Sequence, residues 1–211
     1  MTHLLIFGDS IAHGAWDIKG GWAERLREFL HKRNVSDPDF YCLVYNVGVS
    51  GDKSTDVLNR FEFETKARMK EEEEAVFIFA VGMNDSQFLR NENCFRTRPE
   101  EFRRNIKKLI VLARKFSDKI YFLGLTPVDE KITTPIPWNI NKTYKNEYVK
   151  KFNNIIKSVC KREKINFIEM FDKFMKMNYQ ELLEDGLHPN SKGHQIIFEV
   201  VKDYLVDNKI I

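Results

Sequence analysis

The sequence predicts an α/β protein: a five-stranded, mostly parallel sheet with helices on both faces, that is, a three-layer α/β/α sandwich. Three observations carry that prediction. Five short apolar runs, at residues 3–7, 40–47, 75–81, 119–125 and 165–170, recur along the chain. The stretches between them carry apolar residues at helical spacing. The run 75–81 is apolar at every position, as a strand covered on both faces requires. Alternating strands and helices favour parallel pairing through right-handed crossovers, which sets every strand's carboxyl end on one rim of the sheet.

The elements follow in order. The first run stops at Gly8-Asp9-Ser10. Gly14 and Gly20-Gly21 break the chain before a helix with Trp22, Leu26, Phe29 and Leu30 on one face, which fades at the cations His31-Lys32-Arg33. Asp37-Pro38-Asp39 is a turn into the second strand, which ends at Gly48. A polar loop from Val49 to Ser54 follows, and Ser54 or Thr55 caps a helix carrying Val57, Leu58 and Phe61. The acid run from Glu71 to Glu74 reads as a solvated connection. The third strand closes at Gly82-Met83-Asn84-Asp85.

A long polar segment then leads to Arg98-Pro99-Glu100, where proline suits the first helical position, ahead of Phe102, Ile106, Leu109 and Ile110. The fourth strand closes at Thr126-Pro127. Residues 127–142 hold three prolines and Trp138 and form the longest irregular stretch, either a lid or binding loop or a plain insertion. Residues 144–164 form an amphipathic helix with Tyr148, Phe152, Ile155, Ile156 and Val159 inward. Asn190 or Ser191 caps a final helix whose Ile196, Ile197, Val200, Val201, Tyr204 and Leu205 face the core.

Composition narrows the function. At 211 residues, 43% apolar and 31% charged, the chain fits one globular domain spanning 1–211 with a substantial core. A net charge of +3, from 34 basic and 31 acidic residues, gives no clustered basic excess and argues against a nucleic-acid binder. Cys42, Cys94 and Cys160 are widely spaced, with no C-x-x-C pair, so neither a disulfide framework nor a zinc site is expected. No signal peptide is recognisable, and no apolar run reaches the ~20 residues of a membrane span. The expected location is cytoplasmic.

The rim carries the chemistry. Acyl transfer needs a nucleophile, a base, a group that holds the base, and donors for the oxyanion. Ser10 directly follows the first strand and is the candidate nucleophile. His188 is the candidate base, and Asp185, three residues earlier, can hold its imidazole and fix its tautomer. Candidate oxyanion donors are the backbone amides of Ser10 and Gly48 and the side-chain amide of Asn84. His13 reads as a rim residue, His194 as exposed or packed, Asp85 as a brace for its loop, and Asp9 as an acceptor of backbone bonds. Gly48-Val49-Ser50-Gly51 misses the G-x-S-x-G nucleophile elbow because its second glycine comes one residue early, so Ser50 is read as a loop residue. Phe88, Leu89, Ile136 and Trp138 are candidates to line an acyl site.

Four blocks in this order resemble the SGNH (GDSL-type) hydrolase family. Gly8-Asp9-Ser10-Ile11 resembles its first block, Asn46-Val47-Gly48 carries the glycine of the second, Gly82-Met83-Asn84-Asp85 matches the third, and Asp185-Gly186-Leu187-His188 matches the last. The resemblance implies a flavodoxin-like sheet and a serine esterase with Ser10, Asp185 and His188 catalytic, an oxyanion hole of Ser10, Gly48 and Asn84, and no metal or cofactor. The expected partner is a small-molecule ester or thioester, with short acyl esters, lysolipids and acetylated sugars as candidates. The alternative is a catalytically silent binder of small molecules or phosphate on the same sheet, which would have no need for all four groups.

Overall fold

The computed structural model describes residues 1–70 and 73–211. The chain runs β1 (Thr2–Gly8), α1 (Ser10–His13), α2 (Gly21–Ser36), β2 (Cys42–Gly48), α3 (Ser54–Lys66), β3 (Glu74–Ala80), β4 (Phe88–Leu89) and β5 (Cys94–Phe95). It continues α4 (Pro99–Ala113), β6 (Ile120–Leu123), α5 (Glu130–Thr133), β7 (Lys142–Thr143), α6 (Asn146–Glu163), β8 (Asn166–Ile168), α7 (Phe171–Met175) and α8 (Ser191–Asp207).

The main sheet has the order β2-β1-β3-β6-β8 with every pair parallel. Side-chain alternation splits each strand between two cores. Leu5 and Phe7 of β1, Phe77 and Phe79 of β3, and Ile120 and Phe122 of β6 face a core closed by α3, α4 and α6. Leu4 and Ile6, Val76 and Ile78, and Tyr121 and Leu123 face the other, closed by α2 and α8. The first core is dominated by aromatic rings, with Phe79 and Phe122 stacked at 4.9 Å between centroids. Burying each such ring contributes roughly 2–3 kcal/mol. Strand order reverses at β1, and crevices of open α/β sheets form at the carboxyl ends beside such a reversal. Ser10 and Asn84 both lie there, just past β1 and β3.

The five predicted sheet strands are all present, with their ends moved by one or two residues. Other expectations need correction. Residues 10–13 form a helix, and the polar segment after Asn84 folds into a hairpin, β4 with β5. Residues 127–142 are an ordered arm that starts α5 at an Asp129 cap and returns through β7, which pairs with β4. Ile136, only 2% exposed, pins that arm to the first core. Tyr144 precedes the α6 helix instead of starting it. Within the acid run, Glu74 opens β3 and pairs with Lys119, and Glu73 lies 3.3 Å from His3 Nε2. Glu71 and Glu72 lie outside the described residues. No helix among the described residues is long and apolar enough to cross a membrane.

Candidate active site

The two ends of the chain meet at the rim. Asp9 caps α1, its Oδ1 accepting from the Ile11 N–H at 3.0 Å, and this fixes Ser10 as the first helical residue. The Ser10 hydroxyl lies 2.9 Å from His188 Nε2, although 178 residues separate them. On the far side of the ring, His188 Nδ1 lies 2.8 Å from Asp185 Oδ2.

The turn that holds this pair is built by Asp185 itself. Its Oδ1 accepts the backbone N–H groups of Leu187 at 3.0 Å and His188 at 2.8 Å. Glu184 N–H closes the turn on the His188 carbonyl at 2.8 Å. Burial works against the Asp185 charge, but the hydrogen bonds from the His188 ring and from the His188 and Leu187 amides outweigh it and hold the carboxyl at about 2. A carboxylate that stays ionised keeps the proton on Nδ1 and leaves Nε2 to accept the Ser10 proton.

Trp16 adds a contact that the sequence did not suggest. Its indole N–H donates to Asp185 Oδ2 at 2.9 Å, and Nε1 lies 3.1 Å from His188 Nδ1. With the proton on Nδ1, two N–H groups converge on one carboxylate oxygen. Trp16 has a positive φ of 66° and is 64% exposed, with its ring edge-on to the imidazole at 6.0 Å. No local sequence pattern could have paired residues 16 and 185.

The oxyanion side needs one correction. Among the described residues nothing accepts the Ser10 backbone N–H. Gly48, in contrast, donates its N–H to Asn46 Oδ1 at 3.0 Å. Its lack of a side chain has a packing cause: a Cβ there would meet His13 N at 2.5 Å. Gly48 does not line the pocket, whereas Gly51 does. Gly51 is the third residue of a turn closed by Asp52 N–H on the Val49 carbonyl at 3.1 Å, and its φ of +86° is the type II geometry that favours glycine. Its N–H meets no acceptor among the described residues, so Gly51 replaces Gly48 as the candidate donor. The detectable signal was the Ser-Gly-Asp turn in a loop after a strand end.

Asn84 is held by a polar chain. Gln87 Nε2 donates to the Tyr144 hydroxyl at 2.7 Å, and that hydroxyl donates to Asn84 Oδ1 at 3.2 Å. Arg96 Nη1 reaches the same oxygen at 3.4 Å, while Asn84 Nδ2 donates to the Asp52 carbonyl at 3.0 Å. One Nδ2 hydrogen is therefore engaged and the amide has two, so the second is available to a ligand. Burial pushes the Tyr144 hydroxyl up, so it stays a donor. Asp85 accepts from Ser54 N–H and Oγ at 2.9 and 2.7 Å, which braces the loop to α3.

These groups open into a cavity of about 670 Å³. Ser10, His13, Ser50, Asn84 and His188 line it, as do Trp16, Ile136, Trp138 and Leu187. Phe88 and Leu89 do not: Phe88 packs on Phe95 and Tyr148 at 5.5 Å. His194 is fully buried behind the site, where burial first of all lowers its imidazole to about 4. Burial likewise pushes Asp9 up to about 7, against the Ile11 hydrogen bond. Among the described residues no group of three His, Cys, Asp or Glu side chains could hold a metal ion.

Known proteins share this frame. A GDSL esterase/lipase of Arabidopsis thaliana is 24% identical over 98% of this chain and 87% of its own. A lipase/acylhydrolase from Enterococcus faecalis superimposes with a TM-score of 0.73 at 20% identity, over 97% of this chain and 95% of that one. The acetylxylan esterase Axe2 from Geobacillus stearothermophilus gives 0.70 at 17% identity, over 94% and 91%. At those identities the two structures establish the shared fold. The model of the GDSL-like lipase/acylhydrolase family matches residues 6–196, nearly the full length, and the chain therefore belongs to that family.

Proposed function

We propose that this protein hydrolyses carboxylic esters through an acyl-enzyme on Ser10. The observation that carries the proposal is the unbroken line from Ser10 Oγ through His188 Nε2 and Nδ1 to Asp185 Oδ2, at 2.9 and 2.8 Å. Ser10 Oγ attacks the ester carbonyl carbon as its proton passes to His188 Nε2. The carbonyl oxygen becomes an oxyanion, which the Ser10 and Gly51 N–H groups and Asn84 Nδ2 receive. Each such donor is typically worth ~3–4 kcal/mol of barrier. Collapse breaks the bond to the leaving alcohol or thiol, which takes the proton from Nε2. Water then repeats the sequence on the Ser10 ester, gives its proton to His188, and releases the acid and the free hydroxyl.

Family membership and the esterase and lipase names of the relatives support ester hydrolysis as the reaction. An open cavity of about 670 Å³ supports a small acyl ester, a lysolipid or an acetylated sugar as substrate. A cytoplasmic location belongs to the same proposal, supported by three free thiols, of which Cys94 is exposed. The test is pre-steady-state release of p-nitrophenol from the acetate and butyrate esters. The wild-type protein should give a burst followed by steady turnover, and Ser10→Ala should give neither. Wild-type turnover in Ser10→Ala would end the proposal.

A further inference from the structure

We propose that the cavity carries a subsite for an anion, formed by Arg96 and Lys142, so that the substrate is an ester bearing a carboxylate or phosphate near its scissile carbonyl. This deepens the esterase proposal and rests on it.

The small sheet β5-β4-β7 builds the subsite through strand alternation. Phe88 pairs with Phe95 and Thr143, and Leu89 with Cys94 and Lys142. Phe88 and Phe95 point to one side, onto Tyr148. Their chain neighbours therefore point to the other side. Gln87, Arg96, Lys142 and Tyr144 all line the cavity. A sheet of three two-residue strands thus hides its aromatic face and turns two cations toward Ser10.

The charge of the cavity is one-sided. Arg96 and Lys142 line it, and no Asp or Glu among the described residues does. Elsewhere the buried Arg25 pairs with Asp17, and the half-buried Arg33, Arg60 and Arg68 pair with Asp37, Asp52 and Glu64, while half-buried Arg103 has a hydroxyl partner in Ser158. Among the described residues neither Arg96 nor Lys142 forms an ion pair, and both are only partly exposed. The Arg96 side chain has a single protein contact there, the long 3.4 Å one to Asn84 Oδ1. Its remaining N–H donors have no protein acceptor among the described residues. Half-buried cations without partners favour an anionic ligand, and a guanidinium fork matches carboxylate or phosphate oxygens two at a time. Contact with Asn84 sets the anion close to the oxyanion position, a few bonds from the reacting carbon.

Two pairs of esters test this, one for each side of the ester bond. The p-nitrophenyl monoester of glutaric acid is compared with p-nitrophenyl valerate for an acyl-side carboxylate. 4-Acetoxyphenyl phosphate is compared with phenyl acetate for an anion on the leaving group. The readout is the ratio of kcat/KM, anionic over neutral, which cancels any effect common to both members of a pair. In the wild-type protein at least one ratio should exceed about tenfold, roughly 1.4 kcal/mol, and should shrink at high ionic strength. Which pair responds identifies the side that carries the anion. R96Q/K142Q should bring that ratio to within about threefold of unity, and K142Q alone, should the double variant fail to fold, must lower it. Ratios at or below one for both pairs, with the neutral esters still cleaved, would overturn the anion subsite and leave the esterase proposal intact. A ratio insensitive to K142Q and R96Q/K142Q would do the same. Neutral-ester turnover that survives Ser10→Ala would instead remove the esterase proposal beneath it.

Discussion

Tyr144→Phe removes one oxygen atom from the chain that orients Asn84, and both consequences follow from the structure. Gln87 and Tyr144 are 3% and 1% exposed, and Gln87 Oε1 already has no partner among the described residues. Without the hydroxyl, Gln87 Nε2 is orphaned as well, at a cost of about 1–3 kcal/mol. At 2–4 °C per kcal/mol for a domain of this size, Tm should fall by about 4–8 °C for the middle of that range. The effect on activity comes through Asn84. Three contacts fix its amide: Tyr144 at 3.2 Å, Arg96 at 3.4 Å and the Asp52 carbonyl at 3.0 Å. Loss of the whole donor, as in Asn84→Ala, should lower kcat by about 10²–10³. Loss of one of three orienting contacts should lower kcat by about tenfold with little change in KM. The assay is a double-mutant cycle on p-nitrophenyl butyrate with thermal unfolding of each variant. Tyr144→Phe should cost nothing further in the Asn84→Ala background, because its effect passes through that amide. If the two losses multiply in full, Tyr144 does not act through Asn84.

Three further outcomes are expected. Asp185→Asn replaces an acceptor of four hydrogen bonds, from His188 Nδ1, the Leu187 and His188 amides and Trp16 Nε1; steady-state kinetics should show kcat down by about 10³–10⁴-fold with KM nearly constant. Gly51→Ala has room for its methyl but must keep a φ of +86°, at a cost of about 1–2 kcal/mol, so a folded protein with kcat down about tenfold is expected, and wild-type kcat would remove Gly51 from the oxyanion site. Buried Asp9 and His194 give opposite slopes of stability against pH. Asp9, at about 7 when folded, holds its proton in the native state and loses stability as pH rises from 4 to 7. His194, at about 4 when folded, stays neutral and loses stability as pH falls from 6.5 to 4. Asp9→Asn removes the first slope, so urea unfolding should find it more stable than wild type at pH 8 by about 2–4 kcal/mol, with the gap closing toward pH 4. A gap that does not change with pH would contradict the protonated Asp9.

The main sheet was legible because its signals are long and local. Seven apolar residues in a row have no other economical place than a strand between two helix layers, and Gly8, Gly82 and Thr126 mark where strands stop. The line from Ser10 to Asp185 was legible too, since Ser10 follows the end of the first strand and Asp185-Gly186-Leu187-His188, just ahead of the final helix, matches the last block of the family. What escaped was short or distant. β4, β5 and β7 have two residues each, too few for alternation to stand out in a polar segment. Tyr144 fits the apolar pattern of the following helix, and only the tertiary fold points its hydroxyl at Asn84. Gly48 ends a strand and Gly51 follows three residues later, and the choice between them depends on φ and on a hydrogen bond to Asn46 that composition does not encode. Trp16 reaches Asp185 across 169 residues.

The most direct test of the central claim is covalent capture with a fluorophosphonate, which reacts with a serine only when a base activates it. Peptide mass spectrometry should find the adduct on Ser10 in the wild-type protein and no adduct there in His188→Ala. An adduct confined to Ser50 or another serine, or full ester turnover by a protein that Ser10 capture has saturated, would contradict Ser10 as the nucleophile.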